Sequence, residues 1–176
     1  MMQIERIYEA DLTPADEVLI NRLLVRAFDE GFGDRSYHQQ RHYFRLIMRD
    51  ADAIIGHMAL CYRAIRMGAR LVNIMGLAEV ATDPDEQGKG IGSALMKAAI
   101  AETRKSQADF FLLFGVRPMY AGNGFCNVSN PISYVDFYHA RMGNIHHTDD
   151  HALMVLKTGD LDWDDQAHID LLGHNF

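Results

Sequence analysis

Val80-Ala81-Thr82-Asp83-Pro84-Asp85-Glu86-Gln87-Gly88-Lys89-Gly90-Ile91-Gly92-Ser93 reads as the end of a strand, a turn, and a glycine-rich loop that runs into a long helix. The first amides of a helix have no carbonyl to bond within it. With the positive end of the helix dipole they form a seat for an anion, most naturally a phosphate. Glycine suits such a seat because its missing Cβ lets a bulky pyrophosphate approach the main chain. Spacing excludes two common phosphate loops. A P-loop needs Ser or Thr after its lysine, whereas Gly90 follows Lys89. The dinucleotide fingerprint needs a third glycine where Ser93 stands. Taken alone, the stretch also fits a tight strand-to-helix turn that holds no ligand.

The spacing that does fit is Gln/Arg-x-x-Gly-x-Gly, met by Gln87, Gly90 and Gly92, with Pro84 three residues before the Gln. Upstream lies the apolar run Ile74 to Thr82, closed by Asp83-Pro84; downstream lies Met119-Tyr120-Ala121-Gly122-Asn123-Gly124-Phe125. In this order the three elements resemble the GNAT superfamily of N-acetyltransferases, specifically over Ala53 to Val128 and loosely elsewhere. The resemblance implies an α/β (α+β) GNAT fold, a mixed central sheet of about six to seven strands with helices on both faces. It implies acetyl-CoA as acyl donor and transfer to a primary amine of a small molecule, by direct attack in a ternary complex. A peptide or protein amine, a longer acyl chain, or a non-catalytic acyl-CoA-binding regulator are the alternatives. Ile54-Ile55-Gly56-His57-Met58-Ala59-Leu60 and the ending Asp162-Trp163…Ile169-Asp170-Leu171 resemble aminoglycoside N-acetyltransferases and nodulation-factor N-acyltransferases. That implies an amino-sugar-like acceptor.

Composition agrees with a single soluble domain over residues 1–176: 48% hydrophobic and 23% charged residues. A net charge of −7 argues against broad contact with nucleic acid or an anionic membrane surface. From Pro131 onward, eight aspartates face only Arg141 and Lys157 as permanent cations, which suits solubility or a cationic amine substrate. Cys61 and Cys126 have no metal-ligand spacing and are expected as free thiols in a reducing cytoplasm, with one disulfide as the alternative. The N-terminus lacks the layout of a signal peptide, and the longest apolar run, Phe110 to Val116, is too short for a membrane span. A cytoplasmic protein is expected, and a homodimer is the family's common assembly.

Along the chain, residues 3–9 predict a first strand. Thr13-Pro14 then caps a helix carrying Val18, Leu19, Leu23, Leu24, Ala27 and Phe28 at helical spacing. A second, shorter helix is predicted over Tyr37–Met48. Ala53–Arg66 predicts a strand, Met67-Gly68-Ala69 a hairpin turn, and Leu71–Thr82 a further strand or pair. Gly90–Lys105 is rich in good helix formers and ends on Arg104 and Lys105, which complement the dipole. Phe110–Phe114 predicts a strand covered on both faces. Gly115–Gly124 should hold a short helix carrying Tyr120, and Ala152–Leu156 the last strand. Asp29–Tyr37 and Pro131–Thr148 are expected to be variable loops that build the substrate pocket.

Amide formation needs a neutral amine, a polarised thioester carbonyl and a protonated leaving thiolate; acid or base assistance contributes about 10²–10⁴-fold. By resemblance, Gln87, Gly88, Lys89, Gly90, Ile91, Gly92 and Ser93 hold the pyrophosphate, while Val80, Ala81 and Thr82 pair with the pantetheine arm through their main chain. One amide of that strand would serve as an oxyanion donor; the side chains of Val80 and Thr82 are expected in the core. Tyr120, at the motif's tyrosine, is the candidate general acid, its phenol staying protonated up to a pKa of about 10. Its other reading is packing beside Phe125. Glu79, a carboxylate inside the central strand, is the candidate base, directly or through water, because an unpaired buried charge is costly. A salt bridge or a solvent-facing edge explains it equally. Asn123 either bonds the cofactor or caps a helix.

Of nine histidines, His146, His147 and His151 with Asp149 and Asp150 have ligand chemistry, yet a solvated loop without cysteine is expected and no metal is assigned. His38 and His42 would share a helix face at the surface. His57 is expected as a satisfied core residue and Trp163 as a packing anchor. His139 could border the substrate pocket, and Asp29-Glu30 could meet a substrate's charge.

Overall fold

The computed structural model describes residues 2–28, 32–138 and 141–176. Asp29, Glu30 and His139 lie outside the described residues. In chain order the elements are β1 (Gln3–Tyr8), α1 (Pro14–Ala27), β2 (Phe44–Asp50), β3 (Ala53–Met67), β4 (Arg70–Thr82), α2 (Ile91–Arg104), β5 (Phe110–Phe114), α3 (Pro118–Gly122), β6 (Cys126–Asn127), β7 (Ile132–Tyr138), β8 (Arg141–Thr148), β9 (Leu153–Lys157) and β10 (Ile169–Asp170). The chain forms two compact units, one of the residues up to Leu60 with Ala78–Ile100, the other of Cys61–Leu77 with Ala101–Phe176.

In the first unit, β2 pairs antiparallel with β1 and with β3. Thr13 starts α1 with a capping box: its hydroxyl accepts from the Asp16 amide while the Asp16 carboxylate takes the Thr13 amide. Ile20, Leu23 and Leu24 of α1 pack with Ile47, Ile54 and Ala81. The other helix lies close to β3 at Gly56. A Cβ there would come within 2.5 Å of Ile91 and 2.8 Å of Leu95, so only glycine permits the approach.

The predicted helix over Tyr37–Met48 does not form. Residues 33–43 are irregular, and 44–50 are β2. Phe44, Leu46, Ile47 and Met48 are buried between two partner strands, and that pairing overrides a short helical pattern. His38 and His42 accordingly share no helix face.

In the second unit, β5 runs parallel to β4 and antiparallel to β9, and β9 also pairs with β6. The strand β10 pairs with β3 and β7, and β7 with β8. Ile65, Ile74, Phe110, Leu112, Leu153 and Ile169 are among its core residues, with Trp163 packed against them. Among the described residues there are ten strands rather than the expected six or seven. Part of the difference lies in Pro131–Thr148, expected as a loop: β7 and β8 pair with each other there, and the polar β8 gives little apolar signal. Nor is the strand at 153–157 the last, since Ile169–Asp170 adds β10. Mixed parallel and antiparallel pairing with helices between the strands is the arrangement that the resemblance implied.

Candidate active site

In the first unit, Asp83 ends β4. Its amide bonds Ile55 O at 2.9 Å, its side chain accepts from the Asp85 amide at 3.0 Å, and Arg26 reaches Asp83 at 2.9 Å and Asp85 at 2.7 Å. Pro84 opens a single 3₁₀ turn, and the chain leaves it exposed at Gln87. Gly88 and Gly90 have φ of +78° and +82°, a region that disfavours any Cβ, and neither has a neighbour within 4 Å of where a Cβ would stand. Gly90 O accepts the first helical bond from the Ala94 amide at 2.9 Å, and buried Ile91 seats the helix on the core. Among the described residues, nothing accepts a hydrogen bond from the amides of residues 88–93. The first turn of this 14-residue helix holds no acidic side chain. Open, unspent amides on the positive end of a helix are what a pyrophosphate needs. Lys89 is exposed and paired with Glu86 at 2.9 Å.

Four residues before Asp83 the chain is strained. Glu79 has φ +50°, costly for a side chain with Cβ. This break shifts the alternation of β4, so Ala81 is buried in the core while Val80 and Thr82 are only partly covered. The expectation that Val80 and Thr82 fill the core is therefore corrected.

The Glu79 side chain is 6% exposed and stands in a cluster of charges. Its Oε1 accepts from the His38 amide at 2.6 Å; its Oε2 lies 3.0 Å from His42 Nε2 and 3.8 Å from Arg45 Nη1. Arg45 is fully buried and bonds Glu9 bidentately, at 2.9 Å on each side, and donates to Ser36 O. Arg41 adds an outer contact to Glu9 at 3.2 Å and to Glu17 at 2.8 Å. His57 is fully buried with Nδ1 2.8 Å from Glu79 O and Nε2 3.3 Å from Arg45 Nη1. A carbonyl only accepts, so Nδ1 carries the proton and bare Nε2 receives from Arg45. Burial, then the Arg45 charge, pushes His57 down to about 4, so it stays neutral. Burial alone would raise the Glu79 carboxyl. The bond and charge from His42, the His57 side and the His38 amide outweigh it and hold the group below the ordinary carboxylate value. Glu9 is lowered likewise, burial being outweighed by Arg45.

Of the expected alternatives for Glu79, the buried salt bridge is present and the solvent-facing edge is absent. The helix reading of 37–48 hid this cluster. Its one signal in the sequence was Arg45, a cation inside Phe44-Arg45-Leu46-Ile47-Met48.

In the second unit, Tyr120 sits on α3 and is buried, its ring edge-on to Phe125 at 6.4 Å. Gly115 makes room for it, since a Cβ there would lie 2.5 Å from the ring. Burial raises the phenol above its usual value against the opposing charge of Arg117, so it remains protonated. Among the described residues none accepts from its hydroxyl. Packing beside Phe125 and a free acid proton therefore coexist. Asn123 caps α3, and its amide donates to Met119 O at 2.8 Å, the cap reading of that residue.

The remaining histidines are engaged separately. His146 stacks on Tyr134, His147 bonds Ser133, and His151 bonds Asn130 O at 2.7 Å. Among the described residues no group of three side chains is placed to hold a metal. Trp163 donates to Asn130 at 2.9 Å and meets Phe110 edge-on, as a packing anchor does. Cys61 and Cys126 are free thiols. Among the described residues, no helix is long and apolar enough to cross a membrane.

In an α/β fold, open amides at the head of α2 make a seat for an anion. The profile of the acetyltransferase (GNAT) domain matches residues 10–126, and the chain belongs to that family. Solved structures share the fold. A GNAT family acetyltransferase from Brucella melitensis, solved with acetyl-CoA, is 20% identical with a TM-score of 0.62, over 96% of this chain and 94% of the other. A GNAT family N-acetyltransferase from Escherichia coli, solved with CoA, is 17% identical with a TM-score of 0.65, over 97% and 88%. The ribosomal-protein-S18-alanine N-acetyltransferase of Escherichia coli is 18% identical with a TM-score of 0.61, over 92% and 97%. No curated protein sequence gives a significant match. As a GNAT acetyltransferase the protein is an acyl-CoA-dependent N-acyltransferase, and acetyl-CoA is its donor.

Proposed function

We propose that this enzyme acetylates a primary amine of a small molecule by direct attack on acetyl-CoA in a ternary complex. The carrying observation is the row of unspent amides from Gly88 to Ser93 at the head of α2. These amides, with Gln87 and Lys89, hold the pyrophosphate, and the main chain of Val80–Thr82 pairs with the pantetheine arm. Asn123, whose amide serves as a helix cap, contributes at most its carbonyl oxygen. An amide of the β4 end stabilises the tetrahedral oxyanion.

Glu79, held as a carboxylate, removes a proton from the acceptor ammonium directly or through water; the N–H bond breaks and its electron pair stays on nitrogen for the attack. As the C–S bond breaks, Tyr120 gives its proton to the departing thiolate. The second proton shed by the tetrahedral nitrogen passes through water to restore the phenol, leaving a neutral amide and CoA thiol; Glu79 then returns its proton to solvent. The raised phenol value of Tyr120 supports its role, because an acid must stay protonated until the leaving group forms.

Calorimetry with CoA and thiol release from acetyl-CoA test the reading, using simple primary amines, amino sugars and peptides bearing a free N-terminus or lysine. Turnover confined to small amines is expected. Turnover confined to peptides transfers the assignment to a peptide acetyltransferase, and CoA binding without turnover to a regulator. Tyr120→Phe should lower kcat about 10²-fold while leaving CoA affinity nearly intact; unchanged kcat rejects Tyr120 as the acid.

A further inference from the structure

Several groups surround Glu79 at different distances. Arg45 gives Nε and Nη2 to Glu9 and Nη1 to Ser36 O and His57, and Nη1 stands 3.8 Å from Glu79. His57 is locked neutral, giving its Nδ1 proton to the Glu79 carbonyl. His38 offers Glu79 only its amide, while its ring lies against Phe32. His42 stands nearer the Glu79 carboxylate than Arg45 does, at 3.0 Å against 3.8 Å, and the His42 and Glu79 side chains are both at least nine-tenths buried. A carboxylate so enclosed needs a matching charge.

We propose that His42 is the positioning residue for amine deprotonation: its imidazolium holds Glu79 ionised and aimed, and so sets the pH at which Glu79 can take the acceptor's proton. This rests on the reading of Glu79 as the proton acceptor. The His42 ring faces Oε2 as an ion-pair partner, and each carboxylate oxygen has two lone pairs, so Glu79 can still form an O–H bond with the proton from the amine. His42 keeps its own proton throughout.

The segment that supplies His42 is fastened to the same unit. Asn21 Nδ2 donates to Gly33 O at 2.9 Å and Arg35 O at 2.6 Å, and Arg45 holds Ser36 O. The irregular stretch 33–43 thus carries the counter-charge of the base, which regular strand pairing does not supply.

Two measurements test this. In protein with ¹³C-labelled histidine, followed by NMR and assigned with His42→Gln, the His42 midpoint should lie above about 6.5 and fall by at least one unit in Glu79→Gln. Equal midpoints in the two proteins overturn the proposal, and this measurement needs no acceptor. In the pH profile of kcat/KM for acetyl transfer from acetyl-CoA to benzylamine, His42→Gln should move the acid limb up by about one pH unit, since the lost cation lets Glu79 hold its proton longer. His42→Lys, which restores a charge, should bring the limb back. An unmoved limb in His42→Gln also overturns the proposal. Loss of the limb in Glu79→Gln supports Glu79 as base. A limb retained in Glu79→Gln, with the NMR shift still present, removes the base and leaves only the ion pair.

Discussion

The glycine loop from Gly88 to Gly92 and the polar cluster around Glu79 belong to one compact unit, yet they treat hydrogen-bonding groups in opposite ways. The loop leaves its donors open, without side chains over them. The cluster buries four charged or titratable side chains, Arg45, Glu79, His42 and His57, and matches each to a neighbour. Exposed amides are solvated by water and exchange it for a phosphate at little penalty to the fold. Buried charges have no such substitute, so removing one leaves its partner stranded. Changes in the loop should therefore register in ligand binding, and changes in the cluster in stability first.

The largest expected effect breaks the cluster. Arg45→Ala leaves Glu9 with only its outer contact to Arg41, which should lower unfolding free energy by about 3 kcal/mol in urea titrations. Replacing both partners, as Arg45→Met with Glu9→Gln, should recover most of that loss. If the single and double variants are equally unstable, the pairing account is wrong.

The cluster should also be sensitive to acid. His57 has its folded pKa depressed to about 4 from an ordinary value near 6.5. Its stabilisation is complete above 6.5 and is lost as pH falls toward 4, amounting to something on the order of 3 kcal/mol. Glu79 and Glu9, also depressed, should extend the loss at lower pH as they protonate. Urea unfolding at pH 7, 5.5 and 4.5 measures the slope, and His57→Asn should flatten it between 6.5 and 4.5.

In the loop, Gly90→Ala must place a Cβ at φ +82°. A stability loss of about 1 kcal/mol is expected, with CoA binding weakened roughly tenfold or more by calorimetry as the amides turn. A stability loss with unchanged CoA affinity would separate the loop from the ligand. The smallest effect belongs to Lys89→Ala. Its exposed pair with Glu86 should leave stability within about 0.5 kcal/mol, while CoA affinity drops a few-fold and more so at low salt.

The same contrast explains what could be read in advance. Gln87, Gly90 and Gly92 act through their backbone and local order, so their spacing carries the message. Thr13 and Asp16 form a capping box within four residues, and α2 declares itself through its alanines and leucines. The cluster joins Glu9, His42, Arg45, His57 and Glu79 from separate elements, and no spacing along the chain encodes that meeting. The hairpin of β7 and β8 escaped notice for a related reason: residues 141–147 of β8 are exposed, so the apolar alternation that marks a strand is weak.

Sequence alone determined the glycine-rich corner before α2, the helix that Thr13 caps, the helix that follows Gly90, the tyrosine on its short helix, and through these the family. Those features depend on backbone torsions and nearest neighbours, which the order of residues specifies directly. Only the tertiary structure decided that 44–50 is a strand, that Ala81 rather than Val80 or Thr82 enters the core, and that Glu79 is enclosed by His42 and Arg45. Each of those outcomes depends on which distant segment supplies a hydrogen-bond partner or a counter-charge, and that is settled when the strands pair.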